Sequence, residues 1–267
     1  MNPVKTVLLA TDLKEQAQGA LAAAAILAGA TKAELVACFV LRKDEGEERA
    51  GTVRAELQRI LKSIPMARFP TSAEVLHGEP ADAIISYCQL RQPEVLVVGS
   101  RQIDQDPLTL GTMAERLLRF APVETILVRS SGWPHGRFAA AVDLSEHAKE
   151  AFLRGVEMCR LGKIREITVM LVLDRNDLHC PAAGRSDAER KLGDWLKSLP
   201  LHGVTPRPVV IEGGPKELSR FALGEGIDLV FAGSRGLGHG AIDPLGSFVL
   251  RSARRLPCSL WVTRGKP

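Results

Sequence analysis

The sequence predicts an α/β protein built from two tandem copies of one domain. Three observations carry this: an internal repeat, a regular alternation of short apolar runs with helical patterns, and a length of 267 residues, a little under two average domains. VLLATDLKEQAQGALAAA (Val7 to Ala24) matches FAAAVDLSEHAKEAFLRG (Phe138 to Gly155) and sets Asp12 against Asp143. HGEPADAIISYCQLRQPEVLVVGSR (His77 to Arg101) matches EGGPKELSRFALGEGIDLVFAGSR (Glu212 to Arg235). GTMAERLLRFAPVETILVR (Gly111 to Arg129) matches GSFVLRSARRLPCSLWVTR (Gly246 to Arg264), with Pro122 opposite Pro257. The Ser, Gly and Pro content of Ser130 to Gly136 reads as a linker, which divides a domain 1–130 from a domain 137–267.

Within the first copy, apolar runs place strands near Thr6–Ala10, Glu34–Val40, Ala73–Leu76, Val95–Val98 and Thr125–Val128. Their counterparts are Phe138–Val142, Ile167–Leu173, Pro206–Ile211, Leu229–Ala232 and Leu260–Thr263. The Ala-rich run Ala20 to Ala30 reads as a buried helix, too short to span a bilayer that needs about 20 residues. Between the second and third strands, Val53, Leu57, Ile60, Leu61 and Ile64 recur at helical spacing, as do Leu192, Trp195, Leu196 and Leu199. Ser186 with Glu189 has the spacing of a capping box at the start of the latter helix.

Five cysteines, scattered and without CxxC or Cys/His ligand spacing, argue against disulfides and zinc and point to the cytoplasm. The apolar stretch before Asp12 is too short for a signal peptide, and no membrane association is expected. The residues through Gly132 carry 15 Lys and Arg against 16 Asp and Glu, so the overall +4 leaves +5 for the second half. A basic half suits an anionic ligand. Arg251, Arg254 and Arg255 share one helix, but without aromatic interleaving or a binding motif a nucleic-acid partner is not expected.

The basic half also holds the most informative loop. GSRGLGHGAIDPLGS (Gly233 to Ser247) fits the spacing G-x2-G-x9-G-[S/T] after an apolar run. Residues without a Cβ let backbone N–H groups close on an anion, and a helix starting at Gly246-Ser247 would add its free N–H groups. An adenine nucleotide is therefore the first ligand to consider. The loop is not a Rossmann fingerprint, since Gly236, Gly238 and Gly240 give only GxGxG, and no GxxxxGK[ST] occurs.

An Asp closing the first strand, a G-x-P turn before the third helix, GSR after the fourth strand and GS or GT before the last helix together resemble a tandem universal stress protein. The resemblance covers nearly the whole chain. It implies two Rossmann-like domains of the adenine nucleotide alpha hydrolase-like type, each a five-stranded parallel sheet of order 3-2-1-4-5 with helices on both faces. It also implies a ligand crevice between strands one and four, where the strand order switches. Carried over by position, the adenine contacts fall on Asp143, with Ala141 and Val142 before it, and on Val172. The ribose and phosphate contacts fall on Gly233, Ser234, Arg235, Gly236, Gly238, Gly246, Ser247 and Phe248. The implied cofactor is ATP, AMP or ADP, with Mg or Mn held through the phosphates and no metal site of the protein's own. The implied arrangement is an intramolecular pseudo-dimer in which Thr125–Val128 and Leu260–Thr263 pair antiparallel; a further homodimer stays open.

The first half departs from the pattern. Gly99, Gly111 and Thr112 remain, but Gln102 stands where the second Gly belongs, the loop is one residue short, and Asp104 and Asp106 bring like charge toward phosphates. That crevice is expected to be vestigial, with Asp12 and Val40 as structural remnants. His239 is an alternative anion donor, Asp143 and His147 at i, i+4 lack a third metal ligand, and Trp133 and Trp261 read as packing residues. No catalytic triad can be assembled. The leading function is a nucleotide-binding regulatory protein of the stress response, not an enzyme. A slow ATPase and a scaffold without nucleotide are the alternatives.

Overall fold

The computed structural model describes residues 3–14, 17–64, 69–100, 110–129, 136–173, 184–236 and 244–265. They form two compact units, one before and one after the segment 130–135. The first runs β1 (Thr6–Ala10), α1 (Gln18–Thr31), β2 (Glu34–Leu41), α2 (Glu47–Lys62), β3 (Thr71–His77), α3 (Pro80–Arg91), β4 (Val95–Gly99), α4 (Thr112–Phe120) and β5 (Glu124–Val128). The second repeats this with β6 (Phe138–Val142), α5 (Glu146–Leu161), β7 (Glu166–Leu173), α6 (Arg185–Lys197), β8 (Thr205–Glu212), α7 (Pro215–Gly224), β9 (Leu229–Gly233), α8 (Ser247–Arg255) and β10 (Ser259–Thr263).

Within the units the strands lie in the orders β3-β2-β1-β4-β5 and β8-β7-β6-β9-β10. All pairings within a unit are parallel, so each sheet has the order 3-2-1-4-5 and each is joined by helices. Every residue of β6 and β9 is buried, as inner strands covered on both faces must be, and their sequences are accordingly near-continuous apolar runs. One outermost strand of the second unit is β8, which carries Pro206 and Pro208; a central strand could not accommodate their missing N–H groups.

The second core centres on Phe231, whose ring lies 5.3 Å from that of Trp261 and 5.8 Å from that of Phe138. Arg154, only 2% exposed, enters this core. Its charge is met by Glu157 at 2.6 Å and by the face of Trp261, with the guanidinium carbon 6.0 Å from the ring centroid. Trp261 is thus a packing residue, while Trp133 lies outside the described residues. The described cysteines, Cys38, Cys88, Cys159 and Cys258, are buried and form no disulfide with one another. Burial pushes the thiols of Cys88 and Cys159 up to about 12. No helix among the described residues is long and apolar enough to cross a membrane.

One local expectation is corrected. Helix α6 begins at Arg185 with Gly184 as its N-cap and no side-chain cap, so Ser186 sits inside the first turn and forms no capping box. Glu189 is instead taken by Arg185, whose Nε donates to Oε1 at 3.0 Å, an i, i+4 ion pair that includes the residue before Ser186 in the helix.

Candidate functional site

At the carboxyl edge of the second sheet, β6 delivers Asp143 directly after Ala141 and Val142, both buried. Its Oδ1 accepts the N–H of Ser145 at 3.0 Å, an Asx turn that fixes the carboxylate, and Leu144 between them holds a left-handed φ of 66°. Ser145 then caps α5, its Oγ accepting the N–H of Ala148 at 3.2 Å. The first unit repeats the turn: Asp12 Oδ1 accepts from the N–H of Lys14 at 3.2 Å, and Leu13 has a φ of 59°. A leucine in the left-handed region is uncommon, and here it occurs at both matched positions.

Beside β6 runs β9, in register Ala141 to Ala232, and it ends on Gly233. A Cβ at Gly233 would stand 2.7 Å from the His147 carbonyl carbon, because the first turn of α5 crosses the strand end at that point. The structure therefore gives this glycine a packing role in addition to the ligand role expected of it. A Cβ at Gly236 would stand 2.5 Å from Asp143 Oδ2. The loop thus descends onto the carboxylate, and it is Gly236 that faces Asp143 while Gly233 faces His147. Gly236 is not among the positive-φ residues, so it is required for close approach and not for a left-handed turn.

The far side of the crevice is the start of α8. Gly246 is the N-cap; its own N–H donates to the Ser234 carbonyl at 2.7 Å, and Ser234 N–H donates to Thr263 O at 3.0 Å. The carbonyl of Gly246 accepts from Leu250, so the helix starts here and turns its N-terminus toward the crevice. Ser247 is exposed, Phe248, Arg235 and Val172 are half-buried, and Ser234 is buried with its backbone fully engaged. Val172 lies near the end of β7, on the other side of β6. Gly238 and His239 lie outside the described residues. So do Gln102, Asp104 and Asp106. No group of three or more metal-ligating side chains occurs among the described residues, and Asp143 with His147 gains no third ligand there.

A model of the universal stress protein family matches residues 3–129 and again 135–264. The chain belongs to the universal stress protein family. A universal stress protein of Archaeoglobus fulgidus is similar over 98% of this chain and 96% of its own, at 19% identity and a TM-score of 0.76. A putative universal stress protein of Pseudomonas aeruginosa is similar over 98% and 93%, at 15% identity and a TM-score of 0.70. At such identities the likeness is one of fold. A universal stress protein solved in complex with cAMP aligns with 49% of this chain and 100% of its own, at 20% identity and a TM-score of 0.42. No curated protein matches the chain.

The first universal stress protein domain of the chain keeps an open crevice. A cavity of about 440 Å³, within the range of small-molecule sites, lies at the ends of β1 and β4 and is bordered by Asp12, Val40, Gly99, Gly111 and Thr112. Arg42 also borders it, at the position where the second copy has Asp174, a charge reversal that aligning ELVACFVLR with EITVMLVLD makes visible. Asp12 and Val40, expected as remnants, therefore line a formed cavity. Sequence reading also passed over Arg264, whose Nη1 donates to the Pro244 carbonyl at 3.1 Å just ahead of α8. The matching Arg129 at the end of the first copy was the signal available for it.

Proposed function

We propose that this universal stress protein is an ATP- or AMP-binding regulatory protein of the cytoplasmic stress response, with the nucleotide held in its second unit. The observation that carries the reading is the polarity of the second crevice. Its β6 end presents the fixed acceptor Asp143, which suits a base amino group or ribose hydroxyl. Its α8 end presents the positive terminus of a helix, with Arg235 after β9, which suit phosphates. Between them Gly236 leaves space that any side chain would fill. These residues fit an adenine nucleotide, with Mg or Mn carried on its phosphates. The two units of one chain acting as an intramolecular pair, with or without further homodimerisation, belong to the same proposal. Calorimetric titration with ATP, together with mass spectrometry of small molecules released from freshly purified protein, tests it. One nucleotide per chain is expected; no heat of binding and no released nucleotide would remove the reading.

Among the described residues of the second crevice the candidate base is Asp143, and the nucleoside would occupy it. Phosphate release with excess ATP and Mg²⁺ is therefore expected to stay well below the ~10 s⁻¹ median of enzymes. A rate near that median that vanishes in Gly236→Gln would make the protein an enzyme.

A further inference from the structure

Thr263 pairs in parallel register with Gly233, so the residues after them, Arg264 beyond β10 and Ser234 and Arg235 beyond β9, emerge side by side at the carboxyl edge. One backbone bond holds the two strand ends together, and two more bonds tie this edge to the start of α8. Ser234 donates to Thr263 O at 3.0 Å, Gly246 donates to Ser234 O at 2.7 Å, and Arg264 Nη1 reaches across to Pro244 O at 3.1 Å. Pro244 has no N–H, and its carbonyl is thus the backbone group by which the chain entering α8 can be held at that point. The Arg264 guanidinium fixes it.

The electrostatics point the same way. Burial and the nearby Arg235 guanidinium hold Arg264 down at about 10, so it stays charged at neutral pH, with a second cation close by. Helix α8 adds its positive end and carries no acidic residue in its first turn, whereas α4 in the first unit carries Glu115 there. Two guanidinium groups and a helix N-terminus converge on one loop.

Resting on the nucleotide reading above, we propose that Arg264, which the glycine spacing does not include, is a positioning residue. It anchors the end of the phosphate loop at Pro244 and, with Arg235, makes the site discriminate by the number of phosphates. Its influence falls on the phosphate end of the crevice, away from Asp143. A merely structural arginine would weaken all ligands alike.

The test is calorimetric titration of the full chain with ATP and with AMP, in the wild type, Arg264→Gln and Arg264→Lys. Losing a hydrogen bond from a charged donor weakens binding by about tenfold or more, so Arg264→Gln should lose at least that for ATP and less than about twofold for AMP. Arg264→Lys keeps the charge but not the fork and should recover part of the ATP affinity. If Arg264→Gln does not fold, as thermal melting would show, the ATP-to-AMP ratio in Arg264→Lys decides by the same criterion. Equal losses for both ligands, or no loss, overturn the proposal while leaving nucleotide binding intact. A wild-type protein that binds neither ligand removes the nucleotide reading, and this inference with it.

Discussion

Replacing Gly236 by Gln is expected to abolish ATP binding and to leave the protein folded. The first added atom would stand 2.5 Å from Asp143 Oδ2, and the carboxylate cannot simply turn away, because its other oxygen is held by the Ser145 N–H at 3.0 Å. Either Asp143 leaves its turn or the loop lifts off the crevice, and the remaining side-chain atoms fill the space a nucleotide would take. The atom approached is the end of a side chain at a half-buried loop position, so the cost to stability is small. Affinity should fall by about 100-fold or more, which calorimetry reads as loss of measurable heat, with an unchanged melting temperature. The same change tests which half is functional, since it copies Gln102 of the first loop into the second. The reverse change, Gln102→Gly, should not create a second site, because the first loop stays one residue short and keeps Asp104 and Asp106. A fitted stoichiometry near two would show that the first crevice binds as well, and unaltered ATP affinity in Gly236→Gln would show that the glycine loop does not govern binding.

The strands were legible because duplication supplies each of them twice: a run as weak as Ala73–Leu76 is read beside Pro206–Ile211, and both prove to be strands extended by a residue or two at each end. The pairing of Asp12 with Asp143 was legible for the same reason, whereas the left-handed φ of the leucine after each was not. Contacts that join residues far apart in sequence were not. Gly233 reads as a phosphate-loop glycine, and only the packing of α5 on β9 shows that His147, in the first turn of α5, lies over it. The bond from Arg264 to Pro244 spans two elements and has no spacing signature. Ser186 and Glu189 have the right spacing for a capping box, yet Arg185 competes for the same carboxylate, and a pattern confined to its own residues cannot register that competitor.

Gly233→Ala is expected to destabilise the protein, whereas Gly99→Ala, its counterpart in the first copy, is not. A Cβ at Gly233 would meet backbone as well as side chain, standing 2.7 Å from the carbonyl carbon and 2.8 Å from the carbonyl oxygen of His147. Backbone within the first turn of α5 cannot rotate aside as a side chain can; the helix start must move, and Ser145 caps it while supporting the Asp143 turn. Overpacking of this kind costs about 1–3 kcal/mol, which lowers the melting temperature of a domain of this size class by roughly 2–4 °C per kcal/mol. At Gly99 the same atom meets, among the described residues, Ala20 Cβ at 3.7 Å, an ordinary contact. Thermal melting of the two variants side by side makes one copy of the duplication the control for the other. Gly233→Ala should also weaken ATP binding, since a shifted α5 carries Asp143 with it. Equal melting temperatures would mean that α5 yields at no cost, and Gly233 would then serve only the approach of a ligand.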